Sequence, residues 1–123
     1  MLDAWALVAF MRNEAAAERV ENAIMGRDAV ASSVNLGEAL YTETRRRGDA
    51  AALKAVDWLS RRVTVDVPDW PLTMEAARLK AHSRISYADA FAVATAQKRR
   101  LPIWTGDPEI LALAGEVTVV DLR

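Results

Sequence analysis

The chain has 123 residues, of which 52% are hydrophobic, so we expect a single domain with a well-filled core. Its 16 Lys and Arg residues face 17 Asp and Glu residues, and a net charge of -1 excludes a strongly basic nucleic-acid binder. The chain has no cysteine and one histidine, His82, so it can form neither a disulfide nor a zinc site of Cys or His residues. Any bound metal must therefore be held by carboxylates, which favour Mg²⁺ or Mn²⁺.

Helical and strand-like segments alternate along the chain. Helices are indicated by apolar residues at helical spacing and by stop signals such as Gly26 and Gly48, and strands by short β-branched runs such as the one before Pro68. In chain order we predict helix 4–12, helix 14–25, strand 28–32, helix 35–47, helix 50–61, strand 63–67, helix 71–83, helix 86–99, strand 101–105, helix 108–113 and strand 117–122.

The predicted strands are separated by helices, and no tight hairpin turn joins two of them. This alternation is typical of a parallel sheet that is covered by helices on both faces. We therefore predict a three-layer α/β/α domain, one for the whole chain, with a short sheet of four to five strands. The first strand is expected to be truncated, because only Met1 and Leu2 precede the first acid, Asp3.

The N-terminal segment does not resemble a targeting sequence. Asp3 stands where a signal peptide would be basic, and the apolar stretch Ala4–Met11 is too short to span a bilayer. We therefore expect a cytoplasmic protein that does not interact with membranes.

Four acids that are far apart in sequence are predicted to meet at one edge of the sheet. Asp3 follows the first strand, and Glu38 lies in the first predicted turn of the helix after the second strand. Asp107 follows strand 101–105, and Asp89 begins the helix that leads back into that strand. In open α/β sheets the carboxyl edge is where ligands bind, so these positions predict a common site.

Each acid also has a simpler explanation as a helix cap. Asp3 can be an N-cap, Asp107 precedes a proline at the first helical position, and Asn35–Glu38 and Ser86–Asp89 resemble capping boxes. Capping is the better explanation for any one acid taken alone. Capping acids should be spread over both sheet edges, however, whereas these four share one edge.

Asp89 provides a second argument for a shared site. Residues 90–97 carry no charge on any face, so this helix is predicted to be mostly buried. A carboxylate at its start is costly to desolvate unless something pairs with it, and no Lys or Arg precedes Lys98 in this helix. A bound cation would pair with it, and Ser86 and the helix amides would do so in part.

The segments that hold these acids resemble the motifs of a known family. Leu2–Ala4, Ser33–Glu38, Ile85–Phe91 and Thr105–Glu109 are similar to the four motifs of PIN-domain nucleases, in the order and spacing of the VapC branch. The resemblance covers essentially the whole chain, and the pair SYADAF and TGDPE at this separation is its most specific part.

The resemblance implies a strand order of 3-2-1-4-5 and roles for particular residues. The implied catalytic and metal-binding residues are Asp3, Glu38, Asp89 and Asp107. Asn35 and Thr105 match the supporting polar residues of the family. Glu109 is either an outer acid of the site or a charge in the first turn of a helix.

The resemblance also implies an activity and partners. The implied activity is hydrolysis of single-stranded RNA, dependent on Mg²⁺ or Mn²⁺, by a metal-activated water that leaves a 5′-phosphate. The implied biological role is the toxin of a toxin–antitoxin pair, with a VapB-like antitoxin as partner and a homodimer as the expected assembly.

Two other classes of protein remain as alternatives. A receiver-like phosphoacceptor domain also gathers acids at a sheet edge, but it needs an acidic pair after the first strand and a lysine after the last, and neither is present. A catalytically inactive PIN-like interaction module is the other alternative, and the presence of all four acids argues against it.

Two basic clusters, Arg45–Arg47 and Lys98–Arg100, have the charge needed to guide an RNA. Both lie at predicted helix C-termini, where the helix dipole stabilises cations in any case. The sequence favours this second interpretation.

Overall fold

A computed structural model describes all 123 residues of the chain. Seven helices and four short strands alternate as the sequence predicts. None of the helices has the length and hydropathy needed to cross a bilayer. The elements are α1 (Ala4–Met11), α2 (Ala17–Met25), β1 (Val30–Ser32), α3 (Ser33–Arg47), α4 (Asp49–Ser60), β2 (Thr64–Asp66), α5 (Trp70–His82), α6 (Tyr87–Arg99), β3 (Ile103–Thr105), α7 (Pro108–Leu111) and β4 (Val119–Asp121).

The strands form two parallel pairs that the first two residues join. β1 pairs with β2, and β3 pairs with β4. The Leu2 N–H donates to the carbonyl oxygen of Val30 at 2.8 Å, and the Trp104 N–H donates to the carbonyl oxygen of Met1 at 2.8 Å. The hydrogen bonds therefore run in the order β2, β1, the N-terminal residues, β3 and β4, and the short first segment lies in the middle.

Helices cover both faces of this parallel layer. Val30 packs in a cluster with α6 residues and with Ile103, whereas the next residue, Ala31, packs in a second cluster with Leu7 and Val20. Consecutive residues of a strand point to opposite faces, so the two clusters lie on opposite sides of the strands. The domain thus has the predicted three layers, and α6 is buried from Asp89 to Ala96, as its lack of charge indicates.

Helix α3 begins two residues earlier than predicted. Ser32 ends β1 and is the N-cap of α3, because its hydroxyl oxygen accepts the Val34 N–H at 3.2 Å. The predicted capping box at residues 35–38 is therefore wrong, and Glu38 lies in the second turn of α3 instead of the first. The sequence offers two capping side chains, Ser32 and Asn35, and the helix starts from Ser32, the residue at which β1 ends.

Candidate metal centre

Three of the four predicted acids do cap helices. Asp3 Oδ1 accepts the backbone N–H three residues later at 2.7 Å, and Asp107 Oδ1 accepts the N–H two residues later at 2.7 Å. Asp89 forms a reciprocal capping box with Ser86, whose hydroxyl donates to Asp89 Oδ2 at 2.6 Å. Capping accounts for one oxygen of each side chain and fixes each carboxylate at the start of its helix.

The same acids converge on one cleft. Glu38, Asp89, Asp107 and Glu109 line a cleft of about 470 Å³ between α1, α3 and the starts of α6 and α7. Asp3 is fully buried, and its carboxylate is close enough to those of Asp89 and Asp107 for their charges to repel it. The structure therefore brings together all the acids that the sequence placed at this edge.

No Lys or Arg forms an ion pair with any of these acids. Burial raises the pKa of Asp3 from 3.8 to about 7, and the charges of Asp89 and Asp107 act in the same direction. The Ala6 N–H, which donates to Asp3 Oδ1, and the nearby Thr105 hydroxyl offset this rise of the pKa only in part. Asp3 thus has no Lys or Arg partner, and the one cation whose charge interacts with it is the N-terminal ammonium of Met1, whose own pKa burial lowers to about 6.

The pKa values of Glu38 and Asp89 are raised for the same reasons as that of Asp3. Burial raises the pKa of Glu38, and the charges of Asp89 and Asp107 add to the rise, while the Tyr41 hydroxyl opposes it. Burial also raises the pKa of Asp89, with repulsion from Asp107 and Glu109. The acids of the cleft therefore form one mutually repelling group, which capping alone does not require.

Two buried oxygen atoms of this group have no hydrogen-bond partner, Asp3 Oδ2 and Glu38 Oε2. A buried, unpaired carboxylate oxygen is costly, and a cation would compensate it. The donors are all oxygens, the ligand type that Mg²⁺ and Mn²⁺ prefer. No three of these side chains stand close enough together to hold one ion as they are placed, so a bound cation would have to draw them together. The donor chemistry and the unpaired oxygens fit a hard divalent cation.

Asn35 and Thr105 connect the acids to one another. The Asn35 side-chain amide is fully buried and donates to the carbonyl oxygen of Ala88 at 3.0 Å, which ties α3 to the residue before Asp89. The Thr105 hydroxyl oxygen is also fully buried and accepts the Asp107 N–H at 2.9 Å. Both residues hold a carboxylate of the cleft in position through the backbone beside it.

Two residues, Thr42 and Trp5, line the cleft and were not predicted from the sequence. Thr42 lines the cleft one turn after Glu38, and its spacing of four residues on the same helix is a signal that could have revealed it. Trp5 also lines the cleft, and its ring occupies the space that a Cβ atom on Gly106 would need. This close approach, which only glycine permits, holds the segment before Asp107 against α1, and no local sequence pattern predicts it.

The PIN domain family model matches residues 1–116. The chain belongs to the PIN domain family. Proteins of the PIN and VapC group are nucleases. Membership agrees with the resemblance of the four motif segments and with the helix-rich α/β fold built on short parallel strands.

Solved structures of VapC and VapBC proteins share this fold. The VapC20 toxin of Mycobacterium tuberculosis, described as cleaving the sarcin-ricin loop, is 20% identical with a TM-score of 0.78 over 95% of both chains. DNA-bound VapBC from Salmonella typhimurium is 18% identical with a TM-score of 0.80, over 100% of this chain and 97% of that one. VapBC-1 from nontypeable Haemophilus influenzae is 19% identical with a TM-score of 0.74, over 99% of this chain and 96% of that one. Comparison with curated proteins gives no significant sequence match.

Proposed function

We propose that this protein is a metal-dependent endoribonuclease that cleaves single-stranded RNA and acts as the toxin of a toxin–antitoxin pair. The observation that carries the proposal is the cluster of buried, unpaired and mutually repelling carboxylates in a PIN fold. Capping explains why each acid begins a helix, but the repulsion among the acids is destabilising, and capping does not account for it. The cluster is suited to binding a divalent cation together with the anionic phosphodiester.

Asp3, Glu38, Asp89 and Asp107 are the residues that would hold Mg²⁺ or Mn²⁺. A bound divalent cation supplies neutralisation of the phosphodiester charge and a lowered pKa for the attacking water. Asp3, with its pKa near 7, must lose its proton before it can act as a ligand. Asp89 is held at the cleft by Ser86, and Asp89 or Asp3 would orient the water.

The partners follow from the same proposal. The relatives from Salmonella typhimurium and Haemophilus influenzae were solved as VapBC, the toxin together with its antitoxin. For this chain we propose a VapB-like antitoxin that blocks or occupies the cleft, and a homodimer as the assembly. An enzyme of this kind, acting on cellular RNA, would work in the cytoplasm.

The test is RNA cleavage by the purified chain and by two matched variants. Asp89→Asn removes one proposed ligand, whereas Asp69→Asn makes the same change at an N-cap outside the cleft, where Asp69 accepts the Leu72 N–H at 2.9 Å. The parent should cleave a single-stranded RNA with Mg²⁺ or Mn²⁺ and not with chelator. Asp89→Asn should lower the rate by more than about 100-fold, since loss of an outer partner of a metal ligand already costs about 10–100-fold. Asp69→Asn should cleave at close to the parent rate.

Two results would count against the proposal. An Asp89→Asn variant as active as the parent would show that the site is assigned wrongly. A folded parent that cleaves none of a panel of cellular RNAs with either metal would favour the inactive interaction module.

A further inference from the structure

One face of α3 leads away from the cleft toward the C-terminal end of the helix. Glu38, Tyr41, Thr42 and Arg45 have the i, i+3, i+4, i+7 spacing that places side chains on one side of a helix. Glu38 and Thr42 line the cleft. The Tyr41 hydroxyl donates a long hydrogen bond, 3.4 Å, to Glu38 Oε1, so the tyrosine lies directly beside the proposed metal centre.

Tyr41 presents an aromatic ring to solvent at this place. Its exposed fraction is 49%, and the Arg45 guanidinium carbon lies 4.9 Å from the centre of its ring. This is the geometry of a cation–π pair. An exposed aromatic ring together with an arginine is the combination that proteins use to stack the bases of single-stranded nucleic acids.

Arg45 differs from the two arginines that follow it. Arg46 and Arg47 both form ion pairs with the buried Glu43, at 3.7 Å and 2.9 Å. Arg45 forms no ion pair and lies over the Tyr41 ring, so its charge remains available beside the residue that hydrogen-bonds to Glu38. The helix dipole favours all three arginines alike and does not explain why only the first is without an acidic partner.

We infer that Tyr41 and Arg45 form an RNA-binding subsite next to the metal centre. The Tyr41 ring stacks on a base, and the Arg45 guanidinium contacts a phosphate near the scissile bond. The inference rests on the proposed nuclease function and gives it a substrate contact. A chain with a net charge of -1 needs a local cation of this kind to hold a polyanion beside a group of carboxylates. Because every base has a ring face, stacking here tolerates different sequences.

The test is single-turnover cleavage of a labelled single-stranded RNA in Mg²⁺ over a range of protein concentrations. The protein concentration that gives half the maximal rate reports RNA affinity. Tyr41→Ala should raise it by about 5- to 150-fold, the loss of one base stack. Tyr41→Phe keeps the ring and should bind RNA nearly as the parent does. The same ring without the hydroxyl thus separates stacking from the hydrogen bond to Glu38.

Arg45→Ala should weaken RNA binding and reduce its dependence on salt. The slope of log affinity against log salt concentration should become shallower by about 0.7, the value for one phosphate contact on a single strand. The matched control is Arg61→Ala, because Arg61 is an exposed arginine on the surface that pairs with Asp57 at 3.0 Å. This control should leave the slope at the parent value.

The outcomes separate this inference from the proposed function. If the parent cleaves RNA but Tyr41→Ala and Arg45→Ala keep the parent's RNA affinity and salt slope, the subsite is wrong and the nuclease function stands. If Tyr41→Phe loses affinity as fully as Tyr41→Ala, the hydroxyl matters instead of the ring, and the stacking role is wrong. A parent that cleaves no RNA with Mg²⁺ or Mn²⁺ overturns the proposed function and this inference with it.

Discussion

Two regions between α1 and α3 bury carboxylates, one with arginine partners and the other without them. In the first region, Glu43 is completely buried and surrounded by arginines. Arg12, at the end of α1, donates to Glu43 Oε1 at 2.7 Å, and Arg47 Nε lies 2.9 Å from Oε2. The ion pair between Arg12 and Glu43 joins the two helices that carry Asp3 and Glu38.

In the second region, the cleft, Asp3 and Glu38 each have a buried oxygen without a hydrogen-bond partner and form no ion pair with Lys or Arg. The helices α1 and α3 therefore hold a carboxylate paired with arginines at one end, and carboxylates without an arginine partner at the other. A buried charge with its partner holds structural elements together, whereas a buried charge without one leaves the pairing to a ligand from solution. By joining α1 to α3, the ion pair of Arg12 and Glu43 holds together the two helices that carry Asp3 and Glu38.

The largest effect on stability should come from the paired region. Glu43→Ala removes the buried carboxylate and should lower the free energy of unfolding by about 3 kcal/mol, the lower end of the range for breaking a buried ion pair, since the freed arginines reach water. The control is Glu75→Ala, which breaks an exposed pair with Arg78 and should cost less than about 1 kcal/mol. Urea unfolding measures both variants. Equal losses would mean that the Glu43 pair does not hold α1 to α3.

The unpaired region should respond to substitution in the opposite direction. In metal-free protein, folding raises the pKa of Asp3 from 3.8 to about 7, so between these pH values the folded state keeps a proton that the unfolded state has lost. The stability contributed by this group therefore falls as pH rises from about 4 to about 7. Asp3→Asn mimics the protonated form, and Asn also serves as a helix N-cap.

Asp3→Asn should therefore stabilise the metal-free protein at pH 8 by about 1–3 kcal/mol, less than the full value of the pKa shift because an amide must be buried instead. The gain should shrink toward zero near pH 4. The measurement is urea unfolding of parent and variant with chelator at several pH values, where the difference between the two cancels the titrating groups that do not interact with Asp3. A difference that does not change with pH would contradict the uncompensated state of Asp3.

Much of the fold and the grouping of the acids could be predicted, because they depend on local signals. Apolar spacing and the residues that end helices indicated the alternating elements, and the ends of those elements placed the acids at one edge. The predicted start of α3 was wrong. Ser32 and Asn35 are equally good caps in sequence, and only the end of β1 decides between them.

The burial of Glu43 could not be predicted from sequence. Residues 43–47 look like a solvated, charged helix end, yet Glu43 is completely buried. That burial arises from the packing of α1 on α3, which brings Arg12 to a residue 31 positions away. The availability of Arg45 is a local matter, because Glu43 reaches Arg46 and Arg47 at i, i+3 and i, i+4, whereas Arg45 at i+2 lies on another side of the helix.

The response of stability to Mg²⁺ in the parent, Asp107→Asn and Asp69→Asn tests most sharply whether the clustered acids bind a cation. Asp107 repels Asp3, Glu38 and Asp89, so Asp107→Asn should be neutral or stabilising with chelator. Thermal melts of the parent should show a gain of about 2.7 kcal/mol at a Mg²⁺ concentration one hundred times the dissociation constant.

Asp69→Asn should keep that gain, because Asp69 caps α5 and pairs with Lys98 outside the cleft. Asp107→Asn should lose most of it, because one proposed ligand has gone. A cation site formed by the clustered acids predicts this pattern. Equal Mg²⁺ shifts in the parent and in Asp107→Asn, or no shift in either, would contradict it.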